Sequence, residues 1–439
     1  MSERLLIRGG RVIDPANGLD ETADVLLAGG HVASIGRDID GLGARVVDAA
    51  ECLVVPGLVD LHAHLREPGF EHKGTIASET LAALRGGFTT VCAMPNTEPA
   101  PDSAAVVEAL WERIRRDARV NVLPIGCTTR GRHGREIAEL SEMADAGVIA
   151  FSDDGNPVAD AMVMRNALLL AGQLGIPISE HSDDPVLHGA GVMNDGRISE
   201  RLGLPGEPAA AEVTAISRNI ALSESTGAHL HIAHVTTARG VELVADAKAR
   251  GVRVTAEVTP SHLFLTEDAI FGPGPEPLYD TNARINPPLR TEADRRALLR
   301  GVNEGVIDAI ATDHAPHAIQ DKLCEFDQAA PGISCAETAL GTVMTLVERG
   351  ELDLSAALAA LTINPARIFA IDRRLSGTGS LALGVSADVL VIAPAERWTV
   401  APSRFASRGK NTPLAGVELS GAVRAVILHG ALAQAVAYA

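Results

Sequence analysis

Two histidines one residue apart, His62 and His64, lie in the stretch LVDLHAHLREPG at 58–69. In an extended strand, residues i and i+2 point to the same face, so this spacing sets two imidazoles side by side. Neutral imidazole is a preferred ligand of zinc and its transition-series neighbours. Asp60 shares that face one step earlier and could steady one ring by hydrogen bonding. Arg66 follows at once, a fork-shaped cation suited to a carboxylate. A lone His-x-His pair is more often two unrelated histidines than a metal site, so the rest of the chain must supply partners.

Those partners depend on the elements that carry them. Residues 1–56 read as short strands and turns, with apolar and polar positions alternating between Gly pairs. From residue 57, apolar strand-like runs alternate with helix-length segments rich in Ala, Leu, Glu and Arg. The runs are 58–64, 88–96, 120–126, 147–155, 176–181, 229–235, 252–260 and 306–316. Helix candidates include 74–87, 106–118, 211–226, 237–251 and 292–305. Eight β-then-α repeats predict a (β/α)8 barrel of the TIM type. A doubly wound open sheet is the alternative, but no Gly-x-Gly-x-x-Gly follows the first strand. A helix over 353–371 would close the outer layer. Short strands and turns then return in SLALGVSADVLVIAP and GAVRAVILHGALA. The expected organisation is a barrel over 57–371, beside a small β-sandwich built from 1–56 and 372–439.

In such a barrel the C-terminal strand ends face the active site. These ends carry His62 and His64, Asn96, Asp153 and Asp154, His181, His234, and Asp313 with His314 and His317. The chain has 14 histidines, and they crowd these positions instead of scattering. His62, His64, Asp153, His181, His234 and Asp313 make a candidate ligand set, with Asp154 the rival of Asp153. One catalytic zinc takes about three protein ligands plus water. A set of this size therefore suits two metals bridged by one carboxylate, sharing a hydroxide and polarising a carbonyl. That chemistry is hydrolysis of a C–N or C–O bond, or its reversal.

Composition narrows the function classes. A net charge of −18 argues against a nucleic-acid binder or a protein of anionic membrane surfaces. The apolar share is 46% and mean hydropathy +0.14, enough for a sizeable core. No run approaches the ~18 apolar residues of a membrane span. The opening MSERLLIRGG lacks a secretory pattern, and the five cysteines are scattered without a Cys-x-x-Cys. The expectation is a cytoplasmic protein with reduced thiols.

Several stretches together resemble one family. HAHLREPG, MPNT (94–97), FSDDGNP, EH (180–181), AHVTTA (233–238), NPPLR (286–290), ATDHAPH (311–317) and PGISCAET (331–338) are similar to the bacterial type I dihydroorotases of the amidohydrolase superfamily. The likeness runs nearly end to end, to SADVLVI at 386–392. It implies reversible cyclisation of N-carbamoyl-L-aspartate to L-dihydroorotate and water in pyrimidine biosynthesis. It implies two divalent metal ions, zinc foremost. His62 and His64 with Asp313 would hold one metal, and His181 and His234 the other. Motif alignment favours Asp153 as the bridge, and FSDDG has no lysine, as in the type I subset. Asp313 would be the general acid and base. Substrate contacts would come from His64, Arg66, Asn96, Asn286, His317 and the backbone around Pro331 and Gly332. A homodimer is family-typical, and association with aspartate transcarbamoylase is compatible with the sequence.

Other features call for plainer readings. The polar segment 317–332 follows strand eight and reads as an active-site loop, mobile enough to act as a lid. His72, His133 and His188 read as surface residues, and His229 and His231 as core or supporting ones. His314 falls on the wrong strand face for a site role. His262 in TPSHLFLT could line the site, although Ser261 stands where the family often has another histidine. Two other function classes stay open. One is a sister cyclic amidohydrolase (dihydropyrimidinase, hydantoinase or allantoinase), disfavoured by Arg66, Asn96 and the missing lysine. The other is a non-catalytic partner of aspartate transcarbamoylase, disfavoured by the complete ligand set.

Overall fold

The computed structural model describes residues 4–272 and 278–435. Strands from both chain ends form one sheet. Its order places Ala431–Ala435, Glu418–Leu428, Val389–Thr399, Leu53–Pro56, Arg4–Asp14, Leu19–Ala28 and His31–Gly36 side by side, with Arg45–Asp48 also on Arg4–Asp14. The junction between the ends is the antiparallel pairing of Val389 with Pro56 and Ile392 with Leu53. Leu5, Ile7, Val25, Leu27, Val54, Val389, Val391 and Ile427 form a core of their own, as the sandwich reading expects. The last residues of that expected segment, 436–439, and the first three lie outside the described residues.

Between these ends runs the barrel. Leu58–Ala63, Phe88–Ala93 and Asn121–Pro124 form one parallel set. Ile178–Glu180, Leu230–Ile232, Val254–Val258 and Ala309–Ile310 form another. Single bridges close the ring: Gly126 to Phe151, Phe151 to Ile178, and Ala63 to His314. All eight expected strand positions are present, but the fourth is reduced to an extended passage through Phe151. The helix expected over 353–371 is two, Leu354–Leu361 and Ile363–Ile368, with a break in dihedrals at Thr362. Pro365 falls in the first turn of the second piece, where its missing N–H costs nothing.

Barrel strands and helices share a core with the terminal sheet. Leu58, Phe88, Leu230, Val254 and Ile310 belong to the same cluster as Leu390, Ile392, Val423 and Val426. Glycine matters at one contact here: a Cβ on Gly87, at φ +91°, would meet Leu390 Cδ2 at 2.8 Å.

Candidate active site and metal centre

Six side chains converge at the C-terminal ends of the barrel strands. His62 and His64 come from strand one and the turn after it, Asp154 from the passage after Phe151, and His181 follows strand five. His234 follows strand six, and Asp313 follows strand eight. All are buried. His64 Nε2 lies 2.9 Å from Asp313 Oδ1, and His181 Nδ1 lies 2.9 Å from His234 Nε2. His62 Nε2 stands 3.4 Å from Asp154 Oδ1 and 3.5 Å from Asp313 Oδ1. Asp154 Oδ1 is also 3.4 Å from His234 Nε2 and 3.6 Å from His181 Nδ1. The donor atoms form two overlapping groups, His62–His64–Asp313 and His62–Asp154–His234.

Asp153 is not among them. Its carboxylate faces the other way and accepts the backbone N–H groups of Thr128 at 2.9 Å and Thr129 at 3.0 Å, as well as the Thr129 hydroxyl. The place among the histidines expected of Asp153 is therefore taken by Asp154. The physical reason is strand alternation: neighbours in extended chain point to opposite faces. Burial pushes the Asp153 carboxyl up to about 6, although those donors oppose it.

The electrostatics of the cluster suit a cation. Burial works to raise the pKa of Asp154, but His62, His181 and His234 outweigh it and hold it well below the usual range. Burial likewise opposes ionisation of Asp313, and His62 and His64 win. Burial works against protonation of His62, yet Asp154 and Asp313 draw a proton onto it and raise its pKa. Carboxylates that draw a proton so strongly equally draw a divalent metal, whose binding displaces protons from its ligands. His62 Nε2 is buried with no hydrogen-bond partner among the described residues. An apolar or purely structural cluster would not leave that nitrogen orphaned. The residues present fit a metal centre.

The chain beneath the site orients it. Glu257, on strand seven, accepts from His62 Nδ1–H at 2.7 Å through one oxygen and from His231 Nε2–H at 3.1 Å through the other. Burial opposes the Glu257 charge, but His231 and His62 hold its pKa far below the ordinary value. With Nδ1–H committed to Glu257, Nε2 is the nitrogen directed at the cluster, and a metal that displaced its proton would meet the lone pair there. His231 Nδ1 and His229 Nε2 both meet Thr255 Oγ1 at 2.9 Å, extending the chain toward the opposite end of the barrel. Asp60 supports differently from the expectation: it accepts from the Thr312 amide at 2.9 Å, the Thr312 hydroxyl at 2.6 Å and the His62 amide at 3.2 Å, and from no imidazole. It thereby ties strand one to strand eight. Glu212 holds the Thr236 and Thr237 amides at 3.1 and 3.0 Å, fixing the loop that begins at His234.

The expected substrate-facing residues gather at the same mouth. Arg66 is half-buried, and desolvation lowers its guanidinium pKa to about 10, leaving it cationic at neutral pH. Its Nε donates to Pro316 O at 3.1 Å, and Nη2 stands 3.3 Å from His317 Nε2. His317 Nε2–H donates to Pro331 O at 2.9 Å. Burial, then Arg66 and Lys73, push His317 down to about 3, so its ring is neutral. Asn96 Nδ2 donates to Asp154 O at 2.8 Å, while its Oδ1 is buried without a partner among the described residues. Asn286 Nδ2 stands 3.5 Å from His181 Nε2. Gly332, at φ +144°, lies so close to His317 that a Cβ would come within 3.0 Å of Nε2. Arg66, His234 and Asp313 all have φ in the left-handed region, at 65°, 32° and 48°. Such backbone strain concentrates at functional sites.

The remaining histidines divide. His72 and His133 are exposed. His262 is buried and donates to Pro287 O at 3.0 Å, next to Asn286. His314 points away from the cluster: its Nε2 meets Glu79 at 2.8 Å and its Nδ1 accepts the Cys335 and Ala336 amides. His188 is not the surface residue expected; its Nδ1 lies 2.7 Å from Asp183 Oδ2 and 3.2 Å from Glu207 Oε2.

Comparison with known proteins identifies relatives along nearly the whole chain. A dihydroorotase from Pelotomaculum thermopropionicum is 48% identical over 97% of this chain and 97% of its own. The chain belongs to the dihydroorotase family. A Syntrophotalea carbinolica dihydroorotase is 46% identical over 97% of this chain and 98% of its own. The family described as Dihydro-orotase-like matches residues 51–239. Among solved structures, an L-hydantoinase (dihydropyrimidinase) from Arthrobacter aurescens superposes with a TM-score of 0.86 at 25% identity, covering 98% of this chain and 96% of its own. A dihydropyrimidinase from Brevibacillus agri gives 0.84 at 23% identity, covering 98% and 94%. The fold is thus that of the cyclic amidohydrolases, a TIM barrel with a β-sandwich. Family members separate from these structural neighbours by roughly twofold higher identity to this chain. Among the described residues, no helix is long and apolar enough to cross a membrane.

Proposed function

We infer that this chain is a dihydroorotase, closing N-carbamoyl-L-aspartate to L-dihydroorotate and water and reopening it. The observation that carries the reading is a buried cluster of four histidines and two aspartates beside the Arg66–His317 pair. His62, His64 and Asp313 would hold one divalent metal, and His181 and His234 the second, with Asp154 between them; zinc is the foremost candidate. Such metals would activate water and polarise the reacting carbonyl.

The chain's own groups do the rest. The α-carboxylate of the substrate survives the reaction, and Arg66 suits it as a bidentate partner, with Asn96 and Asn286 as hydrogen-bond donors. Asp313, ionised through the influence of His62 and His64, is suited to take the proton of the attacking water. It would deliver that proton to the ring nitrogen as the C–N bond breaks, and run in reverse during cyclisation. Cyclisation turns two carboxylates into one and consumes a proton. The equilibrium ratio of dihydroorotate to carbamoyl aspartate therefore falls about tenfold per pH unit through the neutral range. The same reading expects a cytoplasmic homodimer, compatible with association with aspartate transcarbamoylase.

The deciding experiment counts metals and assays dihydroorotate hydrolysis on one preparation. Near two metals per chain with turnover is expected. Turnover on dihydrouracil or hydantoin but not on dihydroorotate would move the chain to the sister enzymes. No metal and no turnover after added zinc would favour a non-catalytic partner of aspartate transcarbamoylase.

A further inference from the structure

At the end of the barrel opposite the catalytic cluster lies a cavity of about 400 Å³. That volume is in the range of small-molecule sites. Its rim carries Arg253, Arg367, Arg373 and Arg374, and its wall includes His229 and Thr255. Among the described residues, no carboxylate lines it. Four guanidiniums without an acid are unexpected in a chain of net charge −18. Clustered like charges cost free energy unless an opposite charge joins them.

The arginines are not consumed by the fold. Arg374 gives one nitrogen to Gly147 O at 3.0 Å and Arg253 one to Gly227 O at 3.4 Å. Arg367 and Arg373 form no side-chain hydrogen bond or ion pair among the described residues. All four are exposed at the rim. Their convergence depends on a strained turn. Helix Ile363–Ile368 ends at Phe369, Ala370 takes φ 53°, and helix Ile371–Arg374 starts at once. That left-handed alanine brings Arg367 and Arg373 to one opening, and such strain is retained mainly at functional sites. Ile149, Ile176 and Phe369 give the cavity an apolar floor.

We propose that this cavity is a binding site for an organic polyphosphate, of the nucleoside triphosphate class. The guanidinium forks match phosphate oxygens bidentately, and the apolar floor offers a surface to a base. The site is separate from the catalytic cluster, and the inference stands whatever reaction that cluster performs. Its floor also meets Thr255 and His229, the outer end of the hydrogen-bonded chain that reaches His62 through His231 and Glu257.

Calorimetric titration of the full chain with UTP, ATP, inorganic tripolyphosphate and orthophosphate tests it. Saturable binding of a nucleoside triphosphate is expected, weakened at least about tenfold in Arg367→Gln/Arg373→Gln, given the usual worth of hydrogen bonds to charged groups. Arg367→Lys/Arg373→Lys should retain part of the affinity. Both variants should melt like the parent and keep its basal turnover. No binding at millimolar nucleotide, or binding the glutamine variant fully retains, overturns the site. Tripolyphosphate binding as tightly as the nucleotides upholds the arginine cluster and overturns the role given to the apolar floor.

Discussion

At the scale of single residues, the two aspartates of FSDDG do different work because extended chain alternates. Asp154 faces four imidazoles, whereas Asp153 caps the Thr128–Thr129 turn. Asp154→Asn is expected to lower bound metal to at most one per chain and to remove nearly all turnover, with Asp153→Asn keeping its metal and losing thermal stability. Metal analysis and melting curves on both variants decide this; full metal in Asp154→Asn would sink the assignment. Arg66→Ala is expected to raise the KM of both dihydroorotate and carbamoyl aspartate at least about tenfold, since each loses a charge-assisted pair. Unchanged KM values would remove Arg66 from the substrate. The strand-end histidines and Asp313 were legible in the sequence because ligands at barrel strand ends are spaced by the β/α rhythm. Glu257 was not. Its partners, His62 and His231, are 195 and 26 residues away, so its role exists only once the barrel is closed. The signal available was a lone acid inside an apolar strand, VRVTAEVTP, a burial that demands a partner.

At the scale of elements, strand and helix alternation made the barrel legible, and the differences fall where pairing is slight or local. Strand four keeps only the bridges of Phe151, so nothing in its pattern says which of Asp153 and Asp154 turns inward. The segment after strand five hid its anchor for another reason. His188 lies at the end of the one-turn helix Pro185–His188, which has no periodicity to read. It meets Asp183 on one side and Glu207 on the other, and Glu207 is held in turn by Arg290 at 2.6 Å. The hydrogen bond to Asp183 raises the His188 pKa above its usual value, with burial opposing and Glu207 assisting. A raised histidine stabilises fully below about 6.5 and loses that contribution as pH climbs through the folded-state value. Asp183, which burial would raise but His188 and His181 lower, adds stability above about 3.9 and loses it toward acid. The 183–207 segment is therefore expected to be best protected in mildly acidic solution. Hydrogen exchange at pH 6 and pH 9 checks it: protection should fall at pH 9 in the parent, and His188→Ala should abolish the difference. Equal protection at both pH values in the parent would mean that His188 is not charged in the fold.

At the scale of the whole molecule, the terminal strands are part of the barrel's support. Their kinship was legible because both stretches, before residue 57 and after about 372, alternate short strands with glycine turns. Which edges meet was not legible, because the pairing of Val389 with Pro56 joins positions more than three hundred residues apart. The consequence is energetic. Leu390, Ile392, Val423 and Val426 are fully or nearly fully buried in the same cluster as the barrel's own strands and helices. Burial of each such side chain stabilises by about 1.5–3 kcal/mol, whereas a whole domain holds only about 5–15 kcal/mol in reserve. Removing residues 389–439 would also unpair one edge of Leu53–Pro56, the strand that leads directly into Leu58–Ala63 and the His62–His64 pair. A chain ending at residue 388 is therefore expected to lack a cooperative thermal transition and to bind less than one metal, even though all six site residues remain in it. Circular dichroism melting with metal analysis reads both. A cooperative melt near the parent's temperature, with full metal, would show that the barrel stands alone and that the terminal sheet is an appendage.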